Sequence, residues 1–182
     1  VCSSDLAGTS GHIKQNGEIT KMTISVGDKM PSGTLMTMGD SGPEAVSTDE
    51  MFAGKKVVLF GLPGAFTPTC SAQHVPSYVE NHTALAAKGI DTVGCMSVND
   101  AFVMGAWGKD QQVGNKVTML ADGSADYTKA LGLELDLTAR GMGVRCQRFA
   151  IVIDDGTVSA VEVEENPGGI EKSGAQAILE IL

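Results

Sequence analysis

Cys70 stands alone in GLPGAFTPTCSAQH, residues 61 to 74, crowded by Pro63, Thr67 and Pro68 and with no second cysteine close by to pair with it. A single thiol in such a turn does chemistry as its anion, because the thiolate is the nucleophile. Upstream runs VVLFGL, Val57 to Leu62, a short apolar run rich in β-branched residues that reads as a strand buried on both faces. Downstream, Val75, Tyr78, Val79, His82, Leu85 and Ala86 recur at helical spacing, Lys88-Gly89 supplies a stop, and Pro76 is expected to kink the segment. Strand, tight turn and helix together place Cys70 at or near a helix N-terminus. There, free backbone N–H groups and the helix dipole favour an anion.

Thr67, three residues before the cysteine, can donate to the sulfur or to a bound substrate, though a turn alone could also employ it. Pro63 and Pro68 stiffen the loop and help keep water from the pocket. The missing component is a cation. Arg148 heads the strand RFAIVI and can aim its guanidinium across a neighbouring loop; Arg145 is the second candidate. His74 follows Cys70 by four and shares its helix face, but two ligands are too few for a metal, so His74 reads as a support group beside the pocket. A free thiol is only a few per cent thiolate at pH 7, so full ionisation gains roughly 30-fold, about 2 kcal/mol. Faster oxidation needs donors aimed at the transition state, and the Thr67 hydroxyl, the Arg148 guanidinium and the Cys70 N–H are groups of the right kind.

The elements that must position these residues follow from the rest of the chain. It has 182 residues, 42% of them hydrophobic and 19% charged, which suits one domain with a real core. The net charge of −9 argues against nucleic acid as a partner. No apolar run approaches the roughly 20 residues that cross a bilayer as a helix, so no membrane partner is expected. The four cysteines, Cys2, Cys70, Cys95 and Cys146, are widely spaced and form no CxxC. Free thiols in a reducing compartment, the cytoplasm, are expected, and neither a disulfide framework nor a structural zinc site. Val1 to Lys21 reads as a non-native or disordered extension, because VCSSDL is what translation of a sequencing-adapter end would give; the single domain is expected over residues 22–182.

Residues 31 to 50 look like a hairpin or loop region, and Met51 to Lys56 like a short turn feeding the first buried strand. Ile90 to Val98 reads as a second buried strand, and Asn99 or Asp100 can cap the helix AFVMGAWGKD. Val117 to Asp122 reads as a third strand, and Ala125 to Leu131 as a helix ending at Gly132. RFAIVI, then DDG, then TVSAVEVE is a strong hairpin signal, and Gln176 to Leu182 is a closing helix. The resulting order, β-α-β-α-β-α-β-β-α, predicts an α/β fold with helices on a mixed sheet: crossover strands parallel, a late antiparallel hairpin. It fits a thioredoxin-like fold with an insertion.

Pro63-x-x-x-Thr67-x-x-Cys70 resembles the active-site motif of the peroxiredoxins, and GLPGAFTPTCSAQHVP resembles their peroxiredoxin-5, or type II, subfamily. Two further blocks match in order: SVNDAFVMGAWG, Ser97 to Gly108, and RCQRFAIVIDDG, Arg145 to Gly156. The likeness runs from about Thr23 to Leu182. It implies a thiol peroxidase that reduces hydrogen peroxide and alkyl hydroperoxides and needs no metal, haem or flavin cofactor. By the same resemblance Cys70 would attack the peroxide and become a sulfenic acid. Thr67 would hydrogen-bond the peroxide, Arg148 would hold both thiolate and peroxide, and Pro63 would shield the sulfenic acid. A homodimer is also implied, with Trp107 near its contact.

Some members carry a resolving cysteine in a stretch resembling GGIEKSGA, Gly168 to Ala175. Here that stretch has Lys172 and Ser173 and no cysteine. A one-cysteine cycle is therefore expected, with the sulfenic acid reduced by glutathione with glutaredoxin or by thioredoxin. Cys95, inside TVGCMSV, reads as core, and Cys146 as a lesser redox candidate. Two rivals use the same thiol differently: a redox sensor or holdase without efficient turnover, and a disulfide-exchange module, against which the missing CxxC counts.

Overall fold

The computed structural model describes residues 22–182, so the expectations for Val1 to Lys21 and for Cys2 lie outside it. The central run forms β3 (Lys56–Gly61), with Val57 to Phe60 fully buried. On one side it pairs in parallel with β4 (Thr92–Ser97), which pairs in parallel with β5 (Thr118–Ala121). On the other it pairs antiparallel with β8 (Phe149–Asp154), which turns back into β9 (Thr157–Val163). β1 (Thr34–Gly39) and β2 (Gly42–Ser47) form the hairpin expected from residues 31 to 50 and complete a seven-stranded sheet, ordered β2-β1-β5-β4-β3-β8-β9. The mixed thioredoxin-like arrangement expected from the sequence is the one observed.

Alternation along β3 divides the core between the two faces. Val58 and Phe60 join a cluster with Cys70, Tyr78, Trp107 and Ile178, beneath α2 (Val75–Glu80), α3 (His82–Ala87), α4 (Ala101–Asp110) and α6 (Ala175–Ile181). Val57 and Leu59 join Phe52, Tyr127, Leu131 and Phe149, beneath α1 (Thr48–Phe52) and α5 (Asp126–Leu131). Local signals hold where the chemistry is local. Asp100 caps α4 by accepting from the Val103 N–H, α5 stops at Gly132 with φ +68°, and Asp155-Gly156 turn the β8–β9 hairpin with positive φ at both residues.

Two readings need correction, and one strand pair had no reading. Thr48–Phe52 is a helical turn, capped by the Ser47 hydroxyl, rather than part of a simple turn into the strand. The long helix after Cys70 is not one helix kinked at Pro76. A π-helical turn, Cys70–His74, precedes α2, and the helix breaks at Asn81. Pro76 has no N–H for the carbonyl four residues back, and its ring would crowd that carbonyl; the wider turn just before it relieves both. Finally, β6 (Glu134–Asp136) pairs with β7 (Val144–Cys146) around a 3-10 turn at Thr138–Arg140. At three residues each, these strands are too short for alternation to reveal.

Gly61 ends β3 immediately before the cysteine loop, and a Cβ there would run into the Phe149 ring on β8. The Gly61→Ala variant is expected to lose about 2 kcal/mol of stability through overpacking, read as a shift in the urea-unfolding midpoint; an unchanged midpoint would contradict this close packing.

Candidate active site

The helical run begins at Pro68, and the Ser71 amide bonds back to the Thr67 carbonyl at 3.0 Å. Thr67 is therefore the capping residue and Pro68 the first helical one, a position that needs no N–H. Cys70 sits in the first turn, as the sequence predicted, and is fully buried. Upstream the loop turns between Gly64 and Thr67 with Phe66 at φ +62°, a conformation that a bulky side chain rarely adopts and the sequence did not signal. The Asn99 side chain pins this loop by accepting from the Ala65 N–H at 3.0 Å and from the Ser97 hydroxyl at 2.7 Å. The Trp107 indole, fully buried, donates to the Ser71 hydroxyl at 3.0 Å. Ser97, Asn99 and Trp107 thus tie the second motif block to the cysteine loop.

Arg148 is only 3% exposed and spends each edge of its guanidinium. Nη2 donates to Cys70 Sγ at 3.2 Å, Nη1 to His74 Nδ1 at 2.9 Å, and Nε to the Pro167 carbonyl at 2.8 Å. Arginine has no acceptor, so His74 Nδ1 must carry the lone pair, and Nε2–H donates to the Ser173 carbonyl at 3.0 Å. Both ring nitrogens are used, which leaves the imidazole none for a metal. Burial, and then the Arg148 charge, push the His74 pKa down to about 3, against a smaller opposing effect of the Ser173 bond. The Tyr78 hydroxyl donates to the same carbonyl at 2.7 Å, and its ring stacks on Phe60 at 4.0 Å between centroids.

The other expected residues fall around this centre in different ways. Thr67 faces the site, but its hydroxyl hydrogen is committed to the Gly64 carbonyl at 2.8 Å. It is therefore placed to accept a hydrogen bond from a substrate, not to donate one to the sulfur as the sequence suggested. Arg145 does not reach Cys70. Its Nε donates to the Met142 carbonyl at 2.9 Å and Nη1 approaches the Pro63 carbonyl at 3.4 Å, bracing the loop from outside. Pro63, Thr67, Pro68, Met142, Arg148 and Pro167 are among the walls of a largely apolar cavity of about 420 Å³. Such a cavity can admit a small hydroperoxide beside the guanidinium while limiting water.

Cys95 and Cys146 are fully buried free thiols. Burial pushes the Cys95 thiol well up, and pushes Cys146 up to about 12; the Cys146 thiol donates to the Leu62 carbonyl at 3.0 Å. Both are held as neutral thiols, the unreactive form. Cys146 also belongs to the core cluster on the other face of the sheet from Cys70. Sequence reasoning gave no site role to Glu164, Ser173, Tyr78 or Asn99: it read Asn99 as a cap candidate, Tyr78 as part of a helical face and Ser173 only as standing in a stretch without a cysteine.

Residues 25–179 match the Redoxin family. Over 160 residues the chain is 49% identical to Peroxiredoxin-2D of Arabidopsis thaliana, covering 87% of this chain and 98% of that one. The fold superposes on reduced Prx3 of Vibrio vulnificus in complex with H2O2 with a TM-score of 0.83 and 48% identity, covering 87% and 99% of the two chains. It superposes on peroxiredoxin 5 of Alvinella pompejana with a TM-score of 0.76 and 34% identity, covering 86% and 96%.

His74 yields a pH prediction. Its folded-state pKa lies below its unfolded value of 6.5, so the unfolded chain takes up a proton that the fold refuses. Stability from this group is complete above about pH 6.5 and declines as pH falls from there toward about 3, by at most about 1.4 kcal/mol per unit. Between about pH 7.5 and about pH 5 the urea midpoint should drop further for the wild type than for His74→Gln. Equal drops would contradict the neutral buried imidazole.

Proposed function

The chain belongs to the Redoxin family, as a thiol-dependent peroxidase of its type II peroxiredoxin branch, and from that premise we propose that Cys70 is its peroxidatic cysteine. The observation that carries the proposal is the hydrogen bond from Nη2 of Arg148, a wall of the cavity, to the buried Cys70 Sγ. Peroxiredoxins act on hydroperoxides and are recycled by thioredoxin-type reductants. In the proposed cycle the Cys70 thiolate attacks the terminal oxygen of ROOH. The S–O bond forms as the O–O bond breaks, RO⁻ takes up a proton to leave as an alcohol or water, and Cys70 becomes a sulfenic acid. The Arg148 guanidinium stabilises the thiolate and the charge passing to the leaving oxygen, and the Thr67 oxygen accepts from the peroxide O–H. Pro63 walls the cavity and shields the sulfenic acid.

Regeneration is proposed to depend on an outside thiol. Ser173 and Lys172 occupy the stretch where some members carry a second cysteine, and the Cys95 and Cys146 thiols are buried in their unreactive form. A thiol condenses with the sulfenic acid to a mixed disulfide and water, and a second thiol releases Cys70. Glutathione with glutaredoxin, or thioredoxin, fills this role. Because Cys70 has no exposed surface, the loop must open for either to reach it. That requirement also supports a second reading, a redox sensor that oxidises once and recycles poorly. Assembly as a homodimer is part of the proposal, supported by the exposed rings of Phe66 and Phe102 beside the cysteine loop and α4.

Hydroperoxide consumption by wild type, Cys70→Ser and Cys70→Ala, with glutathione/glutaredoxin and with thioredoxin in parallel, tests the proposal. Multiple turnovers are expected from wild type and background rates from both variants. Retained turnover in the variants would remove Cys70 from the mechanism, and one equivalent consumed per thiol and no more would favour the sensor. A Cys70–Cys95 or Cys70–Cys146 disulfide formed in step with turnover would contradict the one-cysteine cycle. Sedimentation of the same preparation as a monomer would remove the dimer.

A further inference from the structure

We propose that Glu164 and Ser173 are positioning residues for the peroxidase reaction, bracing the loop that sets the direction of the Arg148 guanidinium. The inference rests on the reading of Cys70 and Arg148 given above. Of the three Arg148 hydrogen bonds, one reaches the sulfur, and the other two trace to a single stretch of chain. Nε is held by the Pro167 carbonyl directly. Nη1 is held by His74, whose far nitrogen is held by the Ser173 carbonyl. The guanidinium therefore points where the segment between Val163 and Ala175 lets it point.

That segment belongs to neither β9 nor α6, so no ladder or helix fixes its shape. Its closure centres on one oxygen. Glu164 Oε1 accepts from the Lys172 N–H at 2.8 Å, the Ser173 N–H at 2.7 Å and the Ser173 hydroxyl at 2.8 Å. Glu164 is 6% exposed and Ser173 fully buried, so these charge-assisted bonds form largely out of water, where they are strong. At the other end, the Glu164 N–H donates to the Arg148 carbonyl at 2.9 Å, which anchors the brace to the residue it orients. An apolar residue at 164 would close a core at less desolvation cost. A carboxylate gathering three donors specifies one loop geometry, and that geometry sets the bonds of Arg148. Where some members of the family carry a second cysteine, this chain has instead built a hydrogen-bonded support.

The test is the rate of Cys70 oxidation by hydrogen peroxide, followed by stopped-flow fluorescence in wild type, Glu164→Gln and Ser173→Ala. Each substitution is also placed in an Arg148→Gln background. In the Arg148 background each variant is expected to be oxidised about tenfold more slowly, with unfolding midpoints within a few degrees of wild type. In the Arg148→Gln background the same substitutions should cost nothing further, because they act only through the guanidinium. Wild-type oxidation rates in both single variants overturn the proposal. So do losses that persist undiminished without Arg148, which would mark a purely structural role. If Glu164→Gln does not fold, Ser173→Ala decides alone, since it leaves the carboxylate its two amide donors. A wild-type protein that does not react with peroxide overturns the peroxidase reading itself; reactive wild type with unaffected variants overturns only the brace.

Discussion

A guanidinium at 3% exposure is tolerable only if its N–H groups find acceptors, and the Arg148 partners are a sulfur and an imidazole from one helical turn and a carbonyl from a distant loop. Much of the fold around the site can be read as a consequence of that requirement. Cys70 and His74 come from one helical turn and meet the same guanidinium, which puts the sulfur and the imidazole on the same face. His74 must be neutral to accept, so its environment must be dry, and the Phe60 and Tyr78 rings supply the dryness. The Pro167 and Ser173 carbonyls must both face inward, so the chain between β9 and α6 has to fold back over the site.

The remaining scaffold keeps the cysteine turn in place. β3 is buried on both faces and delivers the chain to Gly61 without freedom to twist. Asn99 and Trp107 then hold the loop and the first helical turn from the β4–α4 side, while Arg145 holds Pro63 from the β7 side. The π-helical turn at Cys70–His74 lets the helix absorb Pro76 within its first turns, and the regular helix resumes only after His74. Selectivity among the thiols follows from the same packing. Cys95 and Cys146 are core residues held protonated, whereas Cys70 has a cation against its sulfur. In the proposed cycle this confines oxidation to Cys70.

The sequence carried the features with short-range causes. The apolar run at Val57 to Leu62, the Asp100 cap, the Gly132 stop and the DDG hairpin all read correctly because each depends on a few neighbouring residues. The Pro-x-x-x-Thr-x-x-Cys spacing placed Cys70 at the start of a helical run for the same reason. What stayed hidden depends on distant parts of the chain. Glu164 sits in EVEE, which looks like a solvated charge run, and only the return of Lys172 and Ser173 buries it. The Thr67 hydroxyl could not be assigned as acceptor until Gly64 was seen to take its hydrogen. The β6–β7 pair is too short to leave a periodic trace, and the left-handed Phe66 breaks the residue preference that would have announced it.

The central claim is that the buried Arg148 guanidinium makes Cys70 reactive toward peroxide in particular, beyond any general gain in nucleophilicity. The most direct measurement compares two rate constants for Cys70, one with hydrogen peroxide and one with iodoacetamide, in wild type and in Arg148→Lys. Lysine keeps the charge and loses the fork that can hold sulfur and a partner together. The account predicts that Arg148→Lys lowers the peroxide rate by about 10²-fold or more while the alkylation rate changes far less. Equal losses in both reactions, or an unchanged peroxide rate, would contradict it.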